Sequence, residues 1–368
     1  MEPNGKANQD SEDFSTPAEI DTTKLPPEAI GESVLERPQP ADEPITSEPS
    51  GGDNSDLFSE MQNTIARLQR DQTSRGDLKI LSRTLLELRY AFKVFRPYRR
   101  RRKVTIFGSA RTKPDHPDYI SAADLGRKMA EHGWMVITGA GGGIMEAGHV
   151  GAGKEASMGL NIMLPFEQGA NHVIEGDPKL VTMKYFFTRK LMFVKECSAI
   201  VCCAGGFGTL DEALETLTLM QTGKQIMLPL VLLDHPSGSY WKDFSSFVDK
   251  QLLDGGMISP DDVSLYKVTN SVDEAVEEVL GFYHRYHSMR YVRDRLVFRL
   301  KEALDEERLD HIQSEFSDIL VKGQFEQTKA LKEEGGEPDL AGLPRLVFHF
   351  NRRSLGRLRL LINTINEG

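Results

Sequence analysis

The sequence predicts an α/β fold: a doubly wound, Rossmann-like parallel sheet with helical N- and C-terminal extensions. Three observations lead there. From Lys103 onward, short β-branched runs ("VTIF", "WMVIT", "GLNIML", "AIVCC", "MLPLVLL") alternate with helix-length amphipathic segments. That is the pattern of βαβ units whose sheet is covered on both faces. Three of the runs end in small-residue turns, at Gly108–Ser109, Gly139–Gly143 and Gly205–Thr209, each leading into a helical segment. Finally, 39% hydrophobic and 27% charged residues in a chain of 368 is an ordinary soluble composition, with room for one large domain and attachments.

Taken in order, residues 1–56 carry 14 acidic and three basic residues, with many Pro, Ser and Thr and few aromatics. Such a segment buries too little apolar surface to offset its ordering entropy and reads as a disordered acidic tail. The net charge of −10 therefore belongs to the tail, and the body is close to neutral. The start lacks the basic and apolar regions of a signal peptide, and no apolar run is long enough to span a bilayer. Cys197, Cys202 and Cys203 cluster at a strand without metal-type spacing. Buried, reduced thiols and a cytoplasmic location fit best.

Residues 57–99 read as a helical extension of two helices broken near Thr73–Gly76, and residues 100–285 as the Rossmann-like domain. The basic run "RPYRRRRK" between them reads as a solvated linker. The last region, 286–368, is expected to be mostly helical with a basic end. Asp273 to Arg295 looks like a closing helix, "RDRLVFRLKEALDEERLDHIQSEFSDIL" looks helical too, and a strand ("LPRLVFHF") and a basic helix ("NRRSLGRLRLLINTIN") follow. Arg345, Arg352, Arg353, Arg357 and Arg359, with the basic run, keep a nucleic-acid-binding reading open, one that salt-sensitive binding would reveal.

The glycine turns fail two familiar templates. In "TGAGGGIMEAG" the sixth position of G-x-G-x-x-G is Ile144 or Glu146, and in "GHVGAGKE" the phosphate-loop Ser/Thr is replaced by Glu155. What remains is three strand-to-helix turns that bare their backbone. Helix N-termini offer unbonded N–H groups and partial positive charge to an anion, worth about 1–2 kcal/mol in a partly buried setting. Gly108, Ser109, Gly141, Gly142 and Gly143 are candidates for phosphate binding on that ground, as are Gly205, Gly206, Gly208 and Thr209. With strand order 3-2-1-4-5 the first and fourth turns would face each other at the topological switch point. Glu212, one turn into the last helix, is repelled by a phosphate and better suited to a sugar hydroxyl, a water or a developing positive charge. Glu146 is a secondary candidate; His149 and His172 read as structural or rim residues, and no metal cluster is apparent.

"AGGFGTLDE" resembles the P-G-G-x-G-T-x-x-E motif of the LOG (Lonely Guy) family of nucleotide phosphoribohydrolases, often mislabelled lysine decarboxylases. "FFTRKLMF" is similar to the family's helix with an Arg-Lys pair, "GAGGGIMEAGHVGA" to its second glycine loop, and "GLNIMLPFEQGAN" to its longer bacterial branch. The resemblance covers residues 100–285, with Ala204 standing where the family usually has Pro. It implies hydrolysis of the N-glycosidic bond of a nucleoside 5′-monophosphate to free base and ribose 5-phosphate, without a cofactor. It also implies catalytic roles for Arg189 and Glu212, and places Lys190, Gly205, Gly206, Gly208 and Thr209 around the ribose phosphate. Self-association as a homo-oligomer rests on the same likeness. A non-catalytic nucleotide carrier on the same fold is the alternative, against which an intact Arg189–Glu212 pair argues. No pyridoxal-phosphate lysine motif supports the decarboxylase label.

Overall fold

The computed structural model describes residues 54–164, 169–334 and 337–367. The acidic tail lies almost wholly outside the described residues, as do residues 165–168 of the "GLNIMLPFEQGAN" stretch. Two helices come first, α1 (Ser55–Arg70) and α2 (Arg75–Phe95). Ser74 caps α2 by accepting from the Asp77 N–H at 3.2 Å, the exchange that polar N-cap residues offer an unbonded helix start.

Seven parallel strands follow: β1 (Lys103–Phe107), β2 (Met135–Thr138), β3 (Ser157–Ile162), β4 (Leu180–Met183), β5 (Ala199–Cys203), β6 (Leu230–Leu233) and β7 (Lys267–Thr269). Their spatial order is β4-β3-β2-β1-β5-β6-β7, so the expected 3-2-1-4-5 core sits inside a wider sheet. Short β4 and β7 at the edges were not anticipated. Three or four residues, partly exposed, leave too little periodicity to be read locally. β1, β2 and β5 are buried at every position, because a sheet covered on both faces has no solvent side. Val104, Ile106, Ile137, Ile200, Val201 and Leu232 form the centre of the core.

The connecting helices are α3 (Pro117–Glu131), α4 (Ile144–Ala156), α5 (Phe186–Glu196), α6 (Phe207–Gln221), α7 (Tyr240–Phe247) and α8 (Val272–Phe282). α3 packs on α4 and α8, whereas α5 packs on α2 and β3. "GHVGAGKE" falls inside α4, in line with its rejection as a phosphate loop. No helix among the described residues is long and apolar enough to cross a membrane.

The C-terminal region corrects the expectation of a mostly helical extension. After α8 the chain forms β8 (Tyr286–Val292), β9 (Arg295–Leu300), α9 (Glu306–Glu315), β10 (Leu320–Thr328), β11 (Arg345–Phe350) and α10 (Leu355–Asn366). The strands make an antiparallel sheet ordered β10-β11-β9-β8. Residues 286–300, read as helical, are instead a hairpin, with Val292 opposite Arg295. β9 is buried along nearly its whole length; β11, which pairs with it from 45 residues further on, is distant information that no local pattern carries.

The basic segments are largely consumed by this architecture. Arg102 lies 3.5 Å over the Tyr283 ring, Arg101 donates to the Gly133 carbonyl and Arg100 pairs with Asp339. Lys103 is buried beside Glu196. At the other end Arg345 is buried against Glu334, Arg359 pairs with Glu278 and Arg357 with Asp318. Arg96, Arg99, Arg100 and Arg353 remain exposed.

Candidate active site

The three glycine turns meet where β1 lies between β2 and β5. The Ser109 N–H donates to the Ala204 carbonyl at 3.1 Å, and the Ser109 carbonyl accepts the Ile144 N–H at 3.0 Å. One residue after β1 thus ties together the turns after β5 and β2. Two glycines make this junction possible. Gly143 has φ of +64° and lies against the Ser109 carbonyl and Ala110, so a side chain would be strained and would collide. A Cβ at Gly205 would run into Thr209 Oγ1 and come within 3.0 Å of the Ser109 nitrogen. Gly206 is the N-cap of α6, and Gly206 and Gly208 face open space, so the backbone of the first turn of α6 is approachable by an anion. Thr209, beneath them, is buried.

A cleft of about 670 Å³ opens beside this junction, lined by Ser109, Arg111, Lys113, Asp118, Gly205 and Tyr240 among others. The Tyr240 hydroxyl donates to the Gly205 carbonyl at 2.8 Å and fixes that wall. Arg189, Lys190 and Glu212 do not line this cleft. They gather on the other side of the α6 turn, where α5 and α6 approach each other. The expected site residues therefore fall into a shared glycine junction with two flanks rather than one enclosed pocket.

On the α5 flank, Arg189 Nε donates to the Leu160 carbonyl at 2.8 Å, and its guanidinium lies 5.2 Å from the Phe193 ring centre. Lys190 Nζ is 2.8 Å from Asp211 Oδ1 and 2.9 Å from Glu215 Oε2. Burial lowers its proton affinity, but the bonds to those two carboxylates outweigh that and raise it overall. Lys190 is thus engaged by two carboxylates of α6.

Glu212 is 8% exposed, and no donor among the described residues hydrogen-bonds its carboxylate. Burial pushes its pKa from 4.5 up to about 7, against the opposing pull of Lys190 and Arg189 and with the help of Glu215 and Asp211. A carboxyl group half-protonated near neutrality can both give and take a proton. Glu146 lies elsewhere: it pairs with His172 Nδ1 at 2.9 Å on the edge of the second turn. His149 is fully buried between Thr138, Asn171 and the Met158 carbonyl, with its pKa driven down to about 4 by burial. It is a neutral structural histidine.

Two contributors were missed in the sequence. Tyr240 carries no local signal, since only the β6–α7 connection brings it to Gly205. Glu87 does: it shares one helical stripe with buried Ala91 and Phe95, and a lone acid on an apolar stripe marks a buried partner.

Comparison with known proteins bears on this central region. Residues 142–279 match the family model described as "Possible lysine decarboxylase". A cytokinin riboside 5′-monophosphate phosphoribohydrolase of Mycobacterium marinum is 27% identical over 172 residues, 45% of this chain and 87% of that protein. The central region is similar to the LOG family of phosphoribohydrolases. A probable enzyme of the same name from Oryza sativa subsp. japonica is 28% identical over 164 residues, covering 43% of this chain and 63% of its own length. A molybdenum cofactor carrier protein of Chlamydomonas reinhardtii superposes on 49% of this chain and 99% of its own, with 23% identity and a TM-score of 0.35. The LOG match begins within the second glycine turn and ends in α8, so α1, α2 and the C-terminal sheet lie outside it.

Proposed function

We propose that this LOG-like domain hydrolyses the N-glycosidic bond of a nucleoside 5′-monophosphate, releasing free base and ribose 5-phosphate. The observation that carries the reading is Glu212: a largely buried carboxyl that no donor among the described residues bonds, raised to about 7 beside two cations and one turn from a helix start with open backbone. Desolvating a carboxyl in this way costs stability, and carboxyls perturbed by burial beside specific charges cluster at active sites.

In this reading the phosphate sits on the exposed backbone of Gly206–Gly208, with Ser109 and Thr209 at its edge. The C1′–N bond breaks with its electron pair leaving on the base, and positive charge builds on the ribose. Ionised Glu212 stabilises that charge and orients the water whose oxygen bonds to C1′. The water's proton passes to Glu212 and is then given up to the base nitrogen, so Glu212 returns to its carboxylate and the balance is one water consumed. Arg189 stays protonated and acts by charge and position rather than as a proton donor.

Self-association belongs to the same proposal. α1 buries none of its residues, and Leu57, Phe58 and Ile65 are all more than half exposed. Light scattering should return a mass above the 41.2 kDa of one chain.

The test of activity is base release. AMP, GMP, CMP, UMP and their nucleosides are incubated with the protein, and free base is followed by chromatography. Monophosphates should be cleaved in preference to nucleosides, and Glu212→Ala should lower the rate by ~10²–10⁴-fold, the range of general acid–base contributions. Binding without cleavage of any nucleotide would replace the hydrolase by a carrier.

A further inference from the structure

The helix that carries Arg189 and Lys190 does not cap itself. Its N-cap, Tyr185, makes no side-chain bond to the first turn. The start of the helix is instead tied to another part of the chain: Glu87 Oε1 accepts the N–H of Lys184, just before the helix, at 2.8 Å, and Glu87 Oε2 accepts the hydroxyl of Thr188, in its first turn, at 2.8 Å. Arg83, one turn earlier on α2, donates to Glu87 Oε1 at 2.7 Å and holds the carboxylate in place. Glu87 is 5% exposed, so water cannot easily substitute for it. A carboxylate at a helix start also complements the helix dipole.

We propose that Glu87 is a positioning residue for the active site, holding α5 so that Arg189 and Lys190 keep their places beside Glu212. The inference rests on the hydrolase reading for its effect on rate but not for its effect on geometry. Arg189 follows Thr188 directly, and its Nε bond to the Leu160 carbonyl requires one rotation and height of α5. Lys190 reaches Asp211 and Glu215 from the same turn. A helix start released from Glu87 tilts or frays over the turn that supplies both cations. The groups facing Glu212 are then Asp211 and Glu215 from its own helix, with Lys190 and Arg189 withdrawn from α5. α2 lies outside the family match, so this contact ties the LOG-like domain to a segment that the match does not include.

The experiment compares the full chain with Glu87→Ala and Thr188→Val by three readouts. Carboxyl-carbon NMR follows the titration of Glu212, hydrogen exchange follows the amides of residues 184–190, and steady-state kinetics separates kcat from KM. With Glu87→Ala, the Glu212 midpoint should move upward and the 184–190 amides should exchange faster. The kcat should fall by roughly tenfold to a hundredfold, the scale of a misplacement of about 1 Å, with KM changed less. Thr188→Val keeps the Lys184 and Arg83 bonds and should move all three in the same direction by less, which retains a test if Glu87→Ala does not fold. An unmoved Glu212 midpoint and unchanged exchange in the folded variants would overturn the proposal, whatever the kinetics. If the wild type cleaves nothing, the hydrolase reading fails, while the NMR and exchange results still decide the role of Glu87.

Discussion

Glu87 and Glu212 stand on either side of α5, 5% and 8% exposed, and their proton affinities move in opposite directions. Burial raises both. At Glu87 it is overcome by three donors, the Lys184 N–H, Arg83 and the Thr188 hydroxyl, and the carboxyl is held below its ordinary range. At Glu212 no donor among the described residues bonds the carboxyl, only the more distant charges of Lys190 and Arg189 act on it, and the value stays up at about 7. Exposure alone does not say whether an acid is structural or reactive; the count of hydrogen bonds does. One carboxylate builds the site and the other is left available to work in it.

Rate separates the two carboxylates most: Glu212→Ala should cost more than Glu87→Ala by an order of magnitude or more. Equal losses would make both residues structural. Stability against pH gives the next effect, with opposite signs. Glu212 binds its proton more tightly folded than unfolded, so it erodes stability as pH rises from 4.5 to about 7. Glu212→Gln should therefore be more stable than wild type at pH 8, by up to ~3 kcal/mol, and about equal below pH 4.5 in denaturant titrations. Glu87 is held low, so its contribution is present above the ordinary carboxylate value and is lost as pH falls through the folded one. Glu87→Gln should be less stable than wild type at neutral pH, and the gap should close in acid. The smallest effect sharpens the account of Glu212 itself. Lys190→Met removes the larger of two cationic pulls on it, and the Glu212 titration should shift above about 7. A downward shift would mean that Lys190 does not act on Glu212 as an opposing cation.

Much of this was legible along the chain. Alternating runs announced the parallel sheet, because strands buried on both faces must be apolar throughout. The small-residue turns stood out because a side chain at Gly143 or Gly205 would collide with the Ser109 backbone. The Arg-Lys pair, the T-x-x-E spacing and the order of the motifs pointed to one family. The C-terminal hairpin did not show, nor did β4 and β7, since short apolar runs have no period long enough to separate strand from helix.

The sequence by itself thus determined the class of fold and the three small-residue turns after β1, β2 and β5, of which only the one opening α6 presents a bare helix start. Only the tertiary structure decided which acid is held low and which is raised, that Lys190 is paired with Asp211 and Glu215, and that the start of α5 is tied to α2. The physical reason is range. Backbone sterics and side-chain periodicity act over a few residues and are written locally. Desolvation and hydrogen bonding act through space, and the partners of Glu87 lie about a hundred residues away along the chain.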